Sequence, residues 1–187
     1  MGKLKSNGMM KGASGGYGRQ LVFRKGKGQT IIFSSYPART AQPSEKELKQ
    51  REKFALASAY AKTVKSSNPS LWAKYEAKAK GSGRSARTFA MQDYLVPPHI
   101  TQINTTEYNG EVGSKIHVIC LDNFEIQSLT VKIAKGDGSL IESGAATDNG
   151  GAWSYIATVK NTSLSGCKIS VEARDIPGNI TERSAVL

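Results

Sequence analysis

The stretch Lys115–Leu121 reads KIHVICL, with Ile116, Val118 and Cys120 at every second position. Successive side chains of a strand point to opposite faces, so this spacing gives one apolar face and one mixed face. Residues 168–173, KISVEA, repeat the pattern with Ile169, Val171 and Ala173. Working outward, residues 99–105, 128–134, 140–146, 153–159 and 181–187 are also short and alternating. Turn residues separate them, most plainly Gly136-Asp137-Gly138 and Asp148-Asn149-Gly150-Gly151. Seven such segments predict a seven-stranded antiparallel β-sandwich over residues 99–187, with Trp153 and Tyr155 as its large inner contacts.

The strand count and spacing are those of an immunoglobulin-like sandwich. Its last part, Val171-Glu172-Ala173-Arg174-Asp175-Ile176-Pro177-Gly178-Asn179-Ile180-Thr181, resembles the closing strands of bacterial immunoglobulin-like modules. In those an alternating strand reaches an Ala-x-Asp, then a Gly-Asn turn, then the last strand. The resemblance implies a fold and leaves function open. Such modules usually occur in tandem on surface or virion proteins, whereas this chain carries one.

Residues 43–96 change to helical spacing. Ser44 and Glu47 make a capping-box pair after Pro43, and Leu48, Phe54, Ala57, Ala61 and Val64 fall near one face of a helix running to about Lys65. Asn68 and Pro69 open a second helix carrying Leu71, Trp72 and Tyr75, which Gly81-Ser82-Gly83 ends. A third, with Phe89, Ala90, Tyr94 and Leu95, stops at Pro97-Pro98. With so few large side chains the core is thin, which predicts help from a neighbouring element or a partner.

Upstream, residues 19–25 (RQLVFRK) and 29–35 (QTIIFSS) flank Gly26-Lys27-Gly28 and predict a β-hairpin. An isolated hairpin is marginal in water, so Leu21, Val22, Phe23, Ile31, Ile32 and Phe33 are the expected assembly interface, against the chain's own helices or a second copy. Residues 1–18 are rich in glycine, contain no acid and read as a flexible basic arm. The chain is therefore expected to be α+β in class. Its expected parts are an arm at 1–18, a hairpin with two to three helices at 19–98, and the sandwich at 99–187. Gly15-Gly16-Tyr17-Gly18, the hairpin, a following proline and Gln50-Arg51-Glu52-Lys53-Phe54 make the first half similar to an uncharacterised family of small bacterial and phage-borne proteins. That resemblance implies neither a catalytic residue nor a ligand.

The net charge of +11 is unevenly placed. Residues 1–100 hold 19 Lys and Arg against 5 acids, +14, and residues 101–187 hold 7 against 10, −3. Lys3, Lys5, Lys11, Arg19, Arg24, Lys25 and Lys27 form a basic patch before the first acid of the chain. Such a patch suits nucleic acid, an acidic protein surface, or acids on another copy such as Glu107, Glu111, Glu125 and Glu142. No apolar run approaches the roughly 20 residues of a membrane span. The first twenty residues lack an apolar core, which excludes a Sec leader if Met1 is the true start. The expected location is then the cytoplasm or a virion, with a cell surface reached only by another route.

Candidate chemistry is sparse. Cys120 and Cys167 fall at opposite ends of strands that run the same way, so two buried free thiols are expected in preference to a disulfide. His99 and His117 lie on different elements with no carboxylate–cysteine cluster beside them. Asp122, Asp137, Asp148 and Asp175 are placed to line a calcium site at one sandwich end, yet each sits beside a turn signal, and turn formation is the ordinary reading. The glycines at 12–18 lack a phosphate-loop signature. No catalytic residue, cofactor, metal or small-molecule substrate is expected. The functional expectation is a non-enzymatic structural protein that self-assembles through its arm and hairpin into a filament, tube or phage particle. Sequence-nonspecific nucleic-acid binding by the basic half is the alternative.

Overall fold

The computed structural model describes residues 2–4, 14–17, 21–26, 29–34 and 42–187. The fold is α+β, and the described residues form three helices and three four-stranded antiparallel sheets. It divides into two compact units, Met1–Glu45 and Lys46–Leu187.

In the first unit, β1 (Gly2–Leu4), β2 (Gly15–Tyr17), β3 (Leu21–Gly26) and β4 (Gln29–Ser34) lie in the order β1-β4-β3-β2. The hairpin read from the sequence is β3–β4, with Val22 opposite Phe33, Phe23 opposite Ile32 and Gly26 opposite Gln29. Both outer strands come from the stretch expected to be an arm. Gly15 pairs with Phe23 at a φ of +113°, a backbone conformation that suits glycine. Phe23 is buried, Val22 half-buried, and Leu21 and Tyr17 are exposed. Ile31, Ile32 and Phe33 take their places on β4, but their side chains lie outside the described residues, as do those of Lys3, Arg24 and Lys25. Lys5, Lys11, Arg19 and Lys27 lie outside them altogether.

The second unit opens with α1 (Glu45–Ser67), α2 (Pro69–Ala79) and α3 (Ala86–Leu95). The side chain of Asn68 accepts from Leu71 N at 3.1 Å, and Pro69 fills the first helical position, where its missing N–H leaves no bond unmade. Ser85 caps α3 by accepting from Thr88 N at 3.2 Å. Ala61, Val64, Tyr75 and Ala90 form a small core, with Phe89, Trp72 and Phe124 packed against it. Leu48 and Phe54, expected on the buried face of α1, are instead exposed. Burial on α1 starts at Ala57, because only its later turns meet α2 and α3.

Each of the seven expected segments forms a strand. They are β5 (His99–Asn104), β6 (Lys115–Leu121), β7 (Ile126–Ala134), β8 (Leu140–Ala145), β10 (Trp153–Ile156), β11 (Lys168–Asp175) and β12 (Ile180–Val186). An eighth, β9 (Thr147–Asp148), was not legible in the alternation because it has only two residues. The sheets run β5-β6-β10-β9 and β12-β11-β7-β8. Their inner faces share one apolar core, in which Ile116 and Val118 of one sheet join Leu129, Val131, Ile133, Ile169 and Val171 of the other. Each such side chain contributes roughly 1.5–3 kcal/mol by leaving water.

Two expectations about side chains need correction. Trp153 is only partly buried, and the inner aromatic is Tyr155. Room for its ring comes from Gly144, where a Cβ would lie 2.8 Å from Tyr155 Cε2. Glu142, expected on an acidic outer face, is buried. Its Oε2 accepts from Tyr155 Oη at 3.0 Å, Thr158 N at 2.9 Å and Thr158 Oγ1 at 2.8 Å. Those donors hold one carboxylate oxygen inside the fold, while Oε1 is enclosed without a hydrogen-bond partner, and burial removes the group from any contact with a basic arm.

Leu129→Ala, at the centre of this core, should cost about 3 kcal/mol, and Trp153→Ala about 2 kcal/mol or less. Urea unfolding of the two variants checks the order.

Candidate functional site

The most unusual chemistry lies where the helices meet the sheets. Three elements each bring one carboxylate there: Asp93 from α3, Asp122 from the turn after β6, and Asp175 from the end of β11. One oxygen from each lies within 4.8 Å of the others. Asp93 and Asp175 are fully buried and Asp122 is half-buried.

Local geometry explains why each side chain points where it does. Asp175 closes the turn ahead of β12, with Oδ1 accepting from Gly178 N at 2.9 Å and Asn179 N at 2.6 Å. Its Oδ2 accepts from Asn179 Nδ2 at 2.7 Å. The same amide reaches the carbonyls of Asp93 and Tyr94 on α3, both at 3.2 Å. Asp122 Oδ2 accepts from Phe124 N at 3.0 Å, which sends the Phe124 ring onto Tyr75, stacked with centroids 4.3 Å apart. Tyr75 Oη donates to Asp93 Oδ2 and lies 3.3 Å from Tyr60 Oη. Asp93 Oδ1 and Asp122 Oδ1 are enclosed and accept no hydrogen bond.

Unit charges 4.8 Å apart repel by about 3 kcal/mol at an effective dielectric of about 20. Burial, with the like charges of Asp122 and Asp175 adding to it, pushes the Asp93 carboxyl up to about 7 against the opposing Tyr75 hydrogen bond. Asp175 is raised too, chiefly by burial. Burial likewise holds the Tyr75 phenol protonated. The neighbouring cation, Lys78, is turned away. Its ammonium donates to the Asn123 carbonyl and lies 5.2 Å from the Phe124 ring centroid. Among the described residues no Lys, Arg or His nitrogen forms an ion pair with any of the three acids.

Of the four aspartates singled out in the sequence, Asp122 and Asp175 meet at this site while Asp137 and Asp148 serve turns elsewhere. Asp137 accepts from Ser139 N at 2.8 Å and Asp148 from Gly150 N at 2.9 Å. Asp93 was missed, because a single acid inside a helical segment ordinarily faces solvent. Its signal was the apolar neighbours Ala90 and Tyr94 on the same turn.

Other groups make simpler arrangements. His99 is exposed. His117 Nδ1 lies 2.9 Å from Ser154 Oγ, and its Nε2 3.5 Å from Glu107 Oε2. These are the residue types of a nucleophilic relay. They sit as cross-strand partners on β6 and β10, and Ser154 Oγ also accepts from Asn149 Nδ2 at 2.9 Å. Cys120 and Cys167 are buried free thiols, and burial pushes Cys120 up to about 11. Between the helices runs a groove of about 1010 Å³, lined by alanines and Trp72 with Lys62, Lys65, Lys80, Arg87 and Glu76, whose carboxylate accepts from Trp72 Nε1 at 2.7 Å.

No protein-family model matches the sequence, and a comparison with curated proteins returns no match. Among solved structures, the chain is similar to an engineered protein at 19% identity and a TM-score of 0.35. That match spans 48% of this chain and 19% of the other.

With its carboxyl raised, Asp93 binds a proton in the folded state that the unfolded chain releases at an ordinary aspartate pKa. Between about pH 4 and 7 the folded state therefore holds more protons at this site, and its contribution to stability falls as pH rises. Thermal melts in metal-free buffer should show Asp93→Asn gaining over wild type as pH moves from 5 to 8. A constant difference across that window would contradict the assignment.

Proposed function

We propose that the chain is a non-enzymatic structural subunit that joins copies of itself through its N-terminal strands and presents an immunoglobulin-like sandwich. The observation that carries this reading is α1. Its first three turns expose Leu48, Phe54 and Leu56, each at 50% or more, before burial begins at Ala57. At about 100° per residue the three point in different directions, so each is a separate apolar contact point on the helix and not part of one patch. The N-terminal sheet supports the same view, with Tyr17 and Leu21 exposed beside buried Phe23, and two outer strands of three residues each. Strand addition at such an edge is a recurrent way to join subunits.

The two C-terminal sheets are read as an immunoglobulin-like sandwich on the strength of their alternation, their shared core and the Asp175–Asn179 turn. The first half's likeness to small bacterial and phage-borne proteins makes a filament, tube or virion component the favoured assembly, in the cytoplasm or on a particle. No helix among the described residues is long and apolar enough to cross a membrane. Head-to-tail contacts through the N-terminal unit would propagate into rings or filaments.

Nucleic-acid binding is the second reading, and the helical groove favours it. Lys62, Lys65, Lys80 and Arg87 surround Trp72, with Lys65 Nζ 5.5 Å from the Trp72 ring centroid. A cationic groove with one aromatic platform suits a single strand.

Light scattering across a concentration series separates the two. The self-assembly reading expects the full chain to grow beyond a monomer, with Ile31→Lys and Phe54→Glu each raising the concentration needed by about tenfold or more. A monomer at every concentration that gains mass only on adding single-stranded DNA, and loses that gain in Lys65→Gln and Arg87→Gln, would replace it with the second reading.

A further inference from the structure

Two orphaned oxygens decide what the acidic junction is for. Asp93 is fully buried and its Oδ1 accepts no hydrogen bond, and Asp122 Oδ1 is enclosed and equally unpartnered. In both residues the other oxygen is anchored, by Tyr75 Oη on Asp93 and by Phe124 N on Asp122. The free oxygens are therefore held in place and lack a donor, a costly state for buried acceptors. Asp175 is fixed beside them by its turn, and one oxygen from each acid falls within 4.8 Å of the others.

We propose that this junction binds a divalent cation of the calcium class, held by Asp93 Oδ1, Asp122 Oδ1 and a carboxylate oxygen of Asp175. A cation bound between them satisfies both orphaned oxygens and offsets the charge of all three acids. Every donor is oxygen, and among the described residues no histidine or cysteine joins the cluster, which disfavours zinc and copper. The acids come from three elements in no regular arrangement. Calcium accepts irregular coordination by six to eight oxygens, with water completing the shell, while magnesium demands a near-ideal octahedron. Half-buried Asp122 gives the ion its way in. A bound ion would pin α3, the turn after β6 and the turn before β12 to one point.

The site is new relative to the assembly reading and independent of it. The test uses the full chain and the metal alone. Terbium added in calcium-free buffer should give luminescence sensitised by tyrosine, since Tyr75 touches Asp93, and calcium should compete it away. Calcium at about hundredfold excess over its Kd should raise Tm by about 5 °C or more. Asp93→Asn and Asp122→Asn keep side-chain shape, and each should abolish both responses, while Asp137→Asn keeps both. The proposal is overturned if wild type shows neither response, or if Asp93→Asn responds to calcium as wild type does. An equal Tm shift from magnesium would overturn the calcium assignment.

Discussion

The second unit depends on a fully buried carboxylate, Asp93. Asp93 sits inside a helix that would otherwise bury only small and aromatic side chains, and a single phenol, Tyr75, satisfies one of its oxygens. Phe124 covers that pair from the sheet side, and Asn179 binds the α3 backbone that carries Asp93. A buried polar group with a fixed partner is expensive to misplace, because losing the partner exposes the whole desolvation penalty. Helix packing, the turn after β6 and the turn before β12 are therefore set against one another. Lys74 and Glu125, paired at 2.6 Å, and Asn123, which donates to the Gln92 carbonyl at 3.3 Å, add weaker ties along the same seam.

Much of this was legible in the sequence where geometry is local. Alternation at Ile116, Val118 and Cys120 and at Ile169, Val171 and Ala173 located strands, because a two-residue period has one buried face. Asn68-Pro69 and Gly81-Ser82-Gly83 bounded a helix through caps and left-handed backbone, with Gly81 at a φ of +79°. What was not legible depends on contacts far apart in the chain. Phe54 shares a helical stripe with Ala61 while Leu48 points well away from it, and whether a stripe is buried depends on what lies opposite. Glu142 resembles any surface acid until Tyr155 and Thr158 arrive from another strand. Asp93, Asp122 and Asp175 span 82 positions, and no spacing rule joins them.

The charge asymmetry takes on a narrower meaning once side chains are placed. Among the acids of the second half, Glu107, Glu111 and Glu125 already pair with His117, Lys160 and Lys74, and Glu142 is buried. These pairs are exposed and exchangeable, so a basic segment competes for them at little cost. The first half carries 19 Lys and Arg against 5 acids, and its cations along the helical groove are the more distinctive electrostatic surface among the described residues. The features thus divide by region. Among the described residues, large apolar side chains are exposed on the early turns of α1, and the largest buried core lies between the two C-terminal sheets.

We infer that the helices and paired sheets of Lys46–Leu187 form one cooperative body through the Asp93 junction. Native-state hydrogen exchange measures it directly, by comparing the opening free energies of the Tyr75 and Ala90 amides with those of Val131 and Val171. The account predicts that all four exchange through the same global opening, with values agreeing to within about 1 kcal/mol. Helical amides that exchange through a much cheaper opening, while the sheet amides stay protected, would show that the junction does not hold the two parts together.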